Sequence, residues 1–459
     1  MKVRSALVAV AALSLSFVAP AHAGDTAPPV TPDVACGKGS LPESTQGRAS
    51  AADFASGRAA KGYTCNAVAE GHAGISGGYR VERYVDPAGH ECAYSDNDAF
   101  VTDSQPYVGS TGVYDVHDPA HPVRTAVLRT PAMASPHESM RVNAARGLLV
   151  AAMSTPATGP GVVDVYDVRT DCRQPKLLAS TPLGVLGHES AFAPDGRTFY
   201  VNSLGGHTLA AIDLTNPSFP SLLWLSFDYA PHGASVSSDG NTLYVAEDSW
   251  YGGFTGLTVL DVSQIQKRVA APTVTVISRL TWPSMSVPQS ATPFTKNGHP
   301  YLLEVDEFGE RITGAARIID LADIRHPVVL SNMRLAVNQP GIYDELQNDP
   351  GNGDSGRGYQ AHNCTVPSRV DPNVVACSFL MSGLRVFDIR DVAHPTELAY
   401  FNKPQTVGTS KLGSCAFAAP AYDPATHDVW YADGNTGFWV VRLTGKAAIP
   451  FARTYVPGD

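Results

Sequence analysis

The stretch Gly383-Leu-Arg-Val-Phe-Asp-Ile-Arg-Asp-Val-Ala-His-Pro395 sets the pattern of the chain: a short apolar alternation, an Asp, and a polar turn closed by Pro. The same order recurs at 112–122, 211–220 and 316–327, and more weakly at 163–169 and 257–263. A unit that recurs about every 50 residues is typical of propellers and solenoids. Six acids align in these copies, and we expect each to accept hydrogen bonds from the turn that follows it: Asp115, Asp167, Asp213, Asp261, Asp320 and Asp388.

Around these copies the chain repeats a set of four short segments rich in Val, Leu, Ile, Tyr and Phe, which favour strands. Turns such as Asp195-Gly196 and Asp239-Gly240 supply the positive φ of a tight hairpin. Seven sets follow one another, beginning near Gly77, His137, His188, His232, Val287, His362 and Gly413. We therefore predict an all-β fold, a single seven-bladed β-propeller over residues 62–459.

The seventh set lacks a convincing fourth strand after Phe438–Leu443. The segment Thr64–Glu70, which precedes the first set, has the composition of an isolated strand. We predict that residues 63–71 pair beside Phe438–Leu443 as the outer strand of the last blade. Such an N-terminal strand would close the ring and remove the exposed edges of an open array.

The first 23 residues have the pattern of a secretory signal peptide: Lys2 and Arg4, an apolar stretch over 6–18, and Ala21-His22-Ala23 as the cleavage site. Residues 24–61 are expected to form an extended arm. No apolar run of spanning length follows, so we expect a secreted protein of the medium or cell envelope without a membrane span. The net charge is −10, and −12 without the two leader cations, which disfavours nucleic acid as a partner.

All seven cysteines lie beyond the leader, and export favours disulfides. We expect at least two bridges. Cys364 and Cys377 are the best local pair, because they fall on neighbouring strands of the sixth set. An odd count leaves at least one thiol outside the intramolecular bridges.

The repeated strand resembles the LVIVD-repeat family of secreted bacterial β-propellers. The matching residues are Val113-Tyr-Asp-Val116, Val259-Leu-Asp-Val262, Arg317-Ile-Ile-Asp-Leu321 and Arg385-Val-Phe-Asp-Ile389. The resemblance covers about residues 65–445 and implies the propeller fold. It implies no particular chemistry, because propellers carry many functions.

Four repeats begin with a histidine, and a small residue follows two places later. The first strand of a blade lines the central channel, so we expect these imidazoles to converge at one mouth of it. Neutral imidazole suits Cu, Zn, Fe or Ni. The alternative is that each His makes a structural hydrogen bond to the backbone or to a neighbouring blade, repeated from blade to blade. The candidate metal ligands are His137, His188, His232 and His362.

Acidic residues lie close to these histidines. By strand alternation, Glu138 and Glu189 should point away from the channel and act as supports rather than ligands. Acids at the ends of the second strands should reach the same face and are candidates to orient metal-bound His: Glu247, Asp248, Asp306, Glu307 and Asp433. Two insertions, Asn338–Gln360 and Asp248–Phe254, are further candidates for functional loops.

The pattern favours a secreted propeller that binds a metal ion or small ligand at a His-lined channel mouth. The cofactor is not named by the sequence, and copper, iron or zinc would each suit the ligands. A copper- or iron-type redox enzyme and a cell-envelope interaction scaffold are the alternatives. A small molecule or protein at the top face is the expected partner, and a monomer is the expected state. No GxSxG, P-loop, HExxH or EF-hand motif occurs, so hydrolase or nucleotide chemistry is not supported.

Overall fold

The computed structural model describes residues 27–33, 35–97, 109–154, 161–203, 206–249, 253–309, 311–353, 358–404 and 413–453. The expected leader peptide lies outside these residues. The described chain forms seven antiparallel sheets, and neighbouring strands within each sheet follow the chain order except where the N-terminal strands join. The predicted all-β, seven-bladed β-propeller is confirmed.

Two N-terminal strands precede the first blade: β1 Tyr63–Cys65 and β2 Ala67–Ala73. Blades one to three contain β3 Val81–Val85, β4 Glu91–Asp96, β5 Thr111–Asp115, β6 Val123–Leu128, β7 Arg141–Asn143, β8 Leu148–Ala152, β9 Val162–Asp167, β10 Lys176–Pro182, β11 Ser190–Phe192, β12 Thr198–Ser203, β13 Thr208–Asp213 and β14 Ser221–Ser226.

Blades four to seven contain β15 Pro231–Val236, β16 Thr242–Glu247, β17 Gly256–Asp261, β18 Thr275–Leu280, β19 Val287–Lys296, β20 His299–Glu307, β21 Ala316–Asp320, β22 Val328–Met333, β23 Asn363–Thr365, β24 Val374–Phe379, β25 Gly383–Asp388, β26 Thr396–Asn402, β27 Ala421–Asp423, β28 Asp428–Asp433 and β29 Gly437–Leu443. The short helices are α1 Ala51–Ser56, α2 Pro131–Ala134, α3 Ser263–Gln266 and α4 Tyr343–Leu346. Single 3₁₀ turns occur at Ala59–Lys61, Ala336–Asn338, Pro340–Ile342 and Gly445–Ala447.

Burial follows the position of a strand within its blade. The second strands β8, β12, β24 and β28 are buried at every residue, because both of their faces pack against neighbouring blades. The outer strand β10 is mostly exposed or half-buried. The core lies between blades: one cluster joins Tyr200 and Leu209 of blade three to Val236 and Leu243 of blade four. Each buried side chain of this kind contributes about 1.5–3 kcal/mol.

The role predicted for the repeated aspartates is confirmed. In every copy a carboxylate oxygen of the Asp accepts a hydrogen bond of 2.7–3.0 Å from the backbone N–H two residues later. This contact fixes the turn between the third and fourth strands, which explains why the same residue recurs there.

The N-terminal closure is confirmed for most of the predicted segment. β2 pairs antiparallel with β29, from Ala67 opposite Leu443 to Ala73 opposite Phe438. The prediction was wrong for residues 63–65, because β1 pairs instead with β26 as a fifth strand of blade six. Asn66 has a φ of 51°, which interrupts the extended chain and turns it from one blade to the next.

The described part of the N-terminal arm lies along blade six and carries α1. Arg385, which is fully buried, pairs with Glu43 of the arm and with Glu397. Arg48 binds Asp349 in the insertion before blade six, with 2.9 Å between Nε and the carboxylate. Three disulfides form, including the expected local pair: Cys36–Cys65, Cys92–Cys172 and Cys364–Cys377.

A search of the described residues finds no helix with the length and apolar character needed to span a membrane.

Candidate metal site at the channel mouth

The structure brings the four candidate histidines together at one end of the channel. The ring centroids of His137 and His188 lie 4.2 Å apart, and those of His188 and His232 lie 4.5 Å apart. His362 joins them through Glu138, since its Nε2 lies 3.1 Å from Oε1 of that carboxylate. His232 lies in β15, and the other three lie in the turns just before β7, β11 and β23. Because only a closed ring brings equivalent positions of blades two, three, four and six together, the propeller itself builds this cluster.

The sequence-based prediction that the side chain of Glu138 points away from the channel was wrong. The buried carboxylate of Glu138 lies inside the histidine ring: Oε2 accepts a hydrogen bond from His137 Nδ1 at 3.0 Å and lies 3.2 Å from His188 Nε2. Strand alternation does not apply here, because His137 has a φ of 50° and β7 begins only at Arg141. The turn before the strand therefore aims two successive side chains at the channel.

Glu189 follows its histidine in the same way but stays outside the ring, as predicted. Its Oε1 accepts hydrogen bonds from Arg80 at 3.0 Å and Arg141 at 2.7 Å. Arg80 also donates from Nε to the backbone carbonyl of Glu138 at 2.9 Å. These buried charges support the cluster from the side away from the mouth and hold the turn that carries Glu138.

Glu307, at the end of β20, supplies a second carboxylate. Its two oxygens each lie 3.4 Å from an imidazole Nε2, one from His232 and the other from His362. The sequence had singled it out only as one of several acids that could reach this face. Other acids of that set serve local structure: Glu247 accepts from the backbone of Ala230, Asp306 pairs with Arg317, and Asp433 accepts from the backbone of Cys415.

We call the four histidines with Glu138 and Glu307 the imidazole–carboxylate cluster. Within it, two tautomers are set by backbone carbonyls. His232 Nδ1 lies 2.9 Å from the carbonyl oxygen of Pro288, and His362 Nδ1 lies 2.8 Å from that of Phe417. A carbonyl oxygen can only accept, so each Nδ1 carries the proton and each Nε2 presents a lone pair to the carboxylates. Glu138 Oε1, although buried, has no hydrogen-bond donor among the described residues.

Burial and neighbouring charges shift the pKa values of the cluster residues. Burial lowers the pKa of His232 to about 4, and the pKa values of His188 and His362 are also lowered, chiefly by burial. Burial alone would raise the pKa of Glu138, but His137 and His188 hold it well below its usual range. Burial raises the pKa of Glu307 well above its usual range, and the charges of Glu138 and Asp248 add to the rise.

Blade one contributes Tyr79 to the surroundings of the cluster, a residue that the sequence analysis did not identify. Its ring stacks on His137 with centroids 4.0 Å apart and 14° between the planes. Asp96 fixes this position by accepting from the backbone N–H groups of Tyr79 and Arg80 at 3.0 and 2.9 Å. Cys364, two residues after His362, offers no thiol to the ring because it is bridged to Cys377.

Two groups of residues in the described chain have the spacing of a metal site. One ligand atom each from His137, Glu138 and His188 lie within 4.8 Å of one another. The second group is Asp86, His90 and Asp171. Asp86 there already accepts from the backbone of Ala88 and Cys172 and from the ring of His90, so its carboxylate serves a turn. The imidazole–carboxylate cluster is the stronger candidate.

Fold and cluster together define the class of protein: a seven-bladed β-propeller with a His/Glu group at its channel mouth that could hold a metal ion. No protein-family model matches the chain, and no curated protein matches it significantly. Solved β-propellers match at the level of fold. The Cps50 (Swd1) β-propeller domain of Myceliophteria thermophila is 13% identical, with a TM-score of 0.51 over 83% of this chain and 100% of that one. The RRP9 WD40 repeats are 10% identical, with a TM-score of 0.50 over 82% and 97%.

U3-55K is similar to the same degree, with 10% identity and a TM-score of 0.50 over 82% of this chain and 98% of that one. At such identities the likeness concerns the fold alone. Function has to be argued from the imidazole–carboxylate cluster.

Proposed function

We propose that this protein is a secreted, metal-binding β-propeller. The candidate ligands are the four histidines with Glu138 and Glu307, and one ligand atom each from His137, Glu138 and His188 lie within 4.8 Å of one another. His137 completes the ring by donating to Glu138 and so orients that carboxylate. One observation carries the proposal: imidazole Nε2 atoms and carboxylate oxygens of one buried cluster lie 3.1–3.4 Å apart at the channel mouth.

The distances between neighbouring atoms of the cluster suit a metal ion. Ligands about 2.1 Å from a metal and at 90–109° to one another lie about 3.0–3.4 Å apart. The ionised carboxylate of Glu138 and the imidazole nitrogens around it would together attract a cation.

The types of ligand atom limit which metals the site would bind. Imidazole nitrogen and carboxylate oxygen suit divalent iron, zinc or copper, whereas soft metals prefer sulfur. A copper- or iron-type redox reaction at this ion is the second candidate function, favoured by the phenol of Tyr79 stacked on His137. Visible and EPR spectroscopy of the loaded protein with oxygen-uptake measurements would separate this reaction from simple binding.

Export and family membership belong to the same proposal. Three disulfides and the leader-like N-terminus support secretion. The repeated strand with its aspartate supports a place in the LVIVD-repeat family. N-terminal sequencing of protein recovered from the medium or cell envelope should begin at Gly24, and a mature protein that starts at Met1 would contradict secretion.

The metal is tested by elemental analysis of protein purified without a His tag, before and after incubation with copper, zinc, iron and nickel salts. We expect about one ion per chain in the wild type and none in the double variant His188→Ala/His362→Ala. The matched control is His326→Ala/His394→Ala, because both residues pair with an Asp in exposed turns. If the wild type takes no metal, or if the cluster variant keeps it, the ring is structural and the scaffold alternative holds.

A further inference from the structure

A cavity opens between the loops of blades three and four, separate from the imidazole–carboxylate cluster. It has a volume of about 530 Å³. Phe227 and Tyr229 reach it from the β14–β15 connection, and Phe254 reaches it from the residues before β17. The insertion Asp248–Phe254 singled out in the sequence therefore contributes Phe254, whereas its residues 250–252 lie outside the described chain.

The aromatic lining is accessible. Phe227 is 67% exposed, although a soluble protein gains by burying such a ring. Phe254 already holds one cation, since the guanidinium of Arg279 lies 4.9 Å from its ring centroid. Aromatic faces attract cations through their quadrupole, and desolvation strengthens the attraction. The aromatic rings thus provide one feature of a site for an organic cation, and a carboxylate would provide the other.

The cavity is lined by two acidic side chains, Asp228 and Glu247, and by the guanidinium of Arg279. Arg279 donates from Nε to the hydroxyl of Thr258 at 3.3 Å, and that hydroxyl donates to the buried carboxylate of Glu247. The hydroxyl of Thr258 thus links the guanidinium of Arg279 to the carboxylate of Glu247. Asp228, also in the lining, is exposed and makes no ion pair with any residue that the structure describes.

The charged residues of the cavity also act on the phenol of Tyr229, which lines it. Burial raises the pKa of this phenol, and the charges of Asp228 and Glu247 raise it further, while Arg279 only partly offsets them. The carboxylate of Asp228 accepts a hydrogen bond from the hydroxyl of Ser226 at 2.9 Å and is otherwise exposed. An ammonium ion entering here would gain from this carboxylate and from the aromatic faces at the same time.

We infer that this cavity binds a small organic ammonium ion with an apolar or aromatic substituent. The ammonium group would lie between Asp228 and the rings, and the substituent would cover Phe227. The inference does not depend on metal at the channel mouth. A carboxylate ligand held by Arg279 is the competing arrangement, and the test separates the two.

Isothermal titration calorimetry of the full chain with three probes of equal size provides the test: phenethylammonium, neutral 2-phenylethanol and phenylacetate. We expect phenethylammonium to bind at least tenfold more tightly than the alcohol, and phenylacetate to bind more weakly than either. Phe227→Ala and Asp228→Asn should each weaken phenethylammonium at least fivefold. Phe219→Ala, which removes a ring that is 77% exposed elsewhere on blade three, should leave it unchanged.

Three results would overturn the inference. One is phenylacetate binding that equals the ammonium and is lost in Arg279→Ala. Another is phenethylammonium binding that is the same in Phe227→Ala and Asp228→Asn as in the wild type. The third is no measurable binding of phenethylammonium at millimolar concentration.

Discussion

Glu138 decides the chemistry of the channel mouth at the scale of a single residue. Four imidazoles alone would form a neutral ring, whereas one ionised carboxylate among them makes the ring attractive to a cation. Its carboxylate contacts three of the four histidines at 3.0–3.2 Å. The positive φ of His137 aims it there.

Replacing this carboxylate by an amide of the same shape tests its role as a ligand. We expect Glu138→Gln to lower metal affinity at least tenfold, because the amide carries no charge and its nitrogen cannot accept. Competition with a chelator measures the change, and circular dichroism checks the fold. Glu345→Gln is the matched control, since its carboxylate is 70% exposed. Unchanged affinity in Glu138→Gln would mean that the imidazoles alone hold the ion.

Among the strands, β2 closes the propeller, because it joins the N-terminal segment to the last blade. The strand also approaches blade one closely. A Cβ added at Gly71 would lie 1.9 Å from the carbonyl oxygen of Pro119, in the turn after the first repeated Asp. The closing strand therefore needs a glycine where the first and last blades meet.

The contact predicts that Gly71→Ala destabilises the closure. The backbone of Pro119 cannot move aside cheaply, so we expect a loss of about 1–3 kcal/mol and a lower melting temperature. Gly341→Ala is the control, because a Cβ there meets nothing within 4 Å. If both variants melt alike, the close approach of β2 to blade one does not limit stability.

At the scale of the whole molecule, the N-terminal arm links stability to pH. Burial raises the pKa of Glu43 to about 7, although Arg385 acts in the opposite direction. The unfolded chain would hold this proton with a pKa near 4.5. The folded state thus binds the proton more tightly. The stabilisation is complete below about pH 4.5 and is lost as the pH rises to about 7.

Glu43→Gln keeps the side chain neutral at every pH and should remove this dependence. Relative to the wild type, we expect the variant to gain up to about 3 kcal/mol in the free energy of unfolding between pH 5 and pH 8. Melting temperatures at both pH values measure the gain. Glu345→Gln, which removes a largely exposed carboxylate paired with Arg48 of the arm, is the control. A pH-independent difference for Glu43→Gln would show that its carboxylate is not buried in solution.

Local rules were sufficient to predict the blades. The repeated Asp acts within two residues of its own position, and the alternating apolar strands bury themselves against the next blade, so both can be read from the chain. The convergence of His137, His188, His232 and His362 also followed from the sequence, because equivalent positions of a closed ring must meet. The expected pair Cys364–Cys377 is bridged for the same local reason, since the two residues face each other on neighbouring strands.

Tertiary structure alone decided where the carboxylates and the N-terminal strands lie. Glu138 turned inward because a single backbone angle broke the alternation on which the prediction rested. Glu307 entered the cluster because the closed ring brings the end of β20 beside His232 and His362. β1 joined blade six because Asn66 turns the chain between blades. The contacts that result join residues far apart in sequence, and no pattern within one repeat contains them.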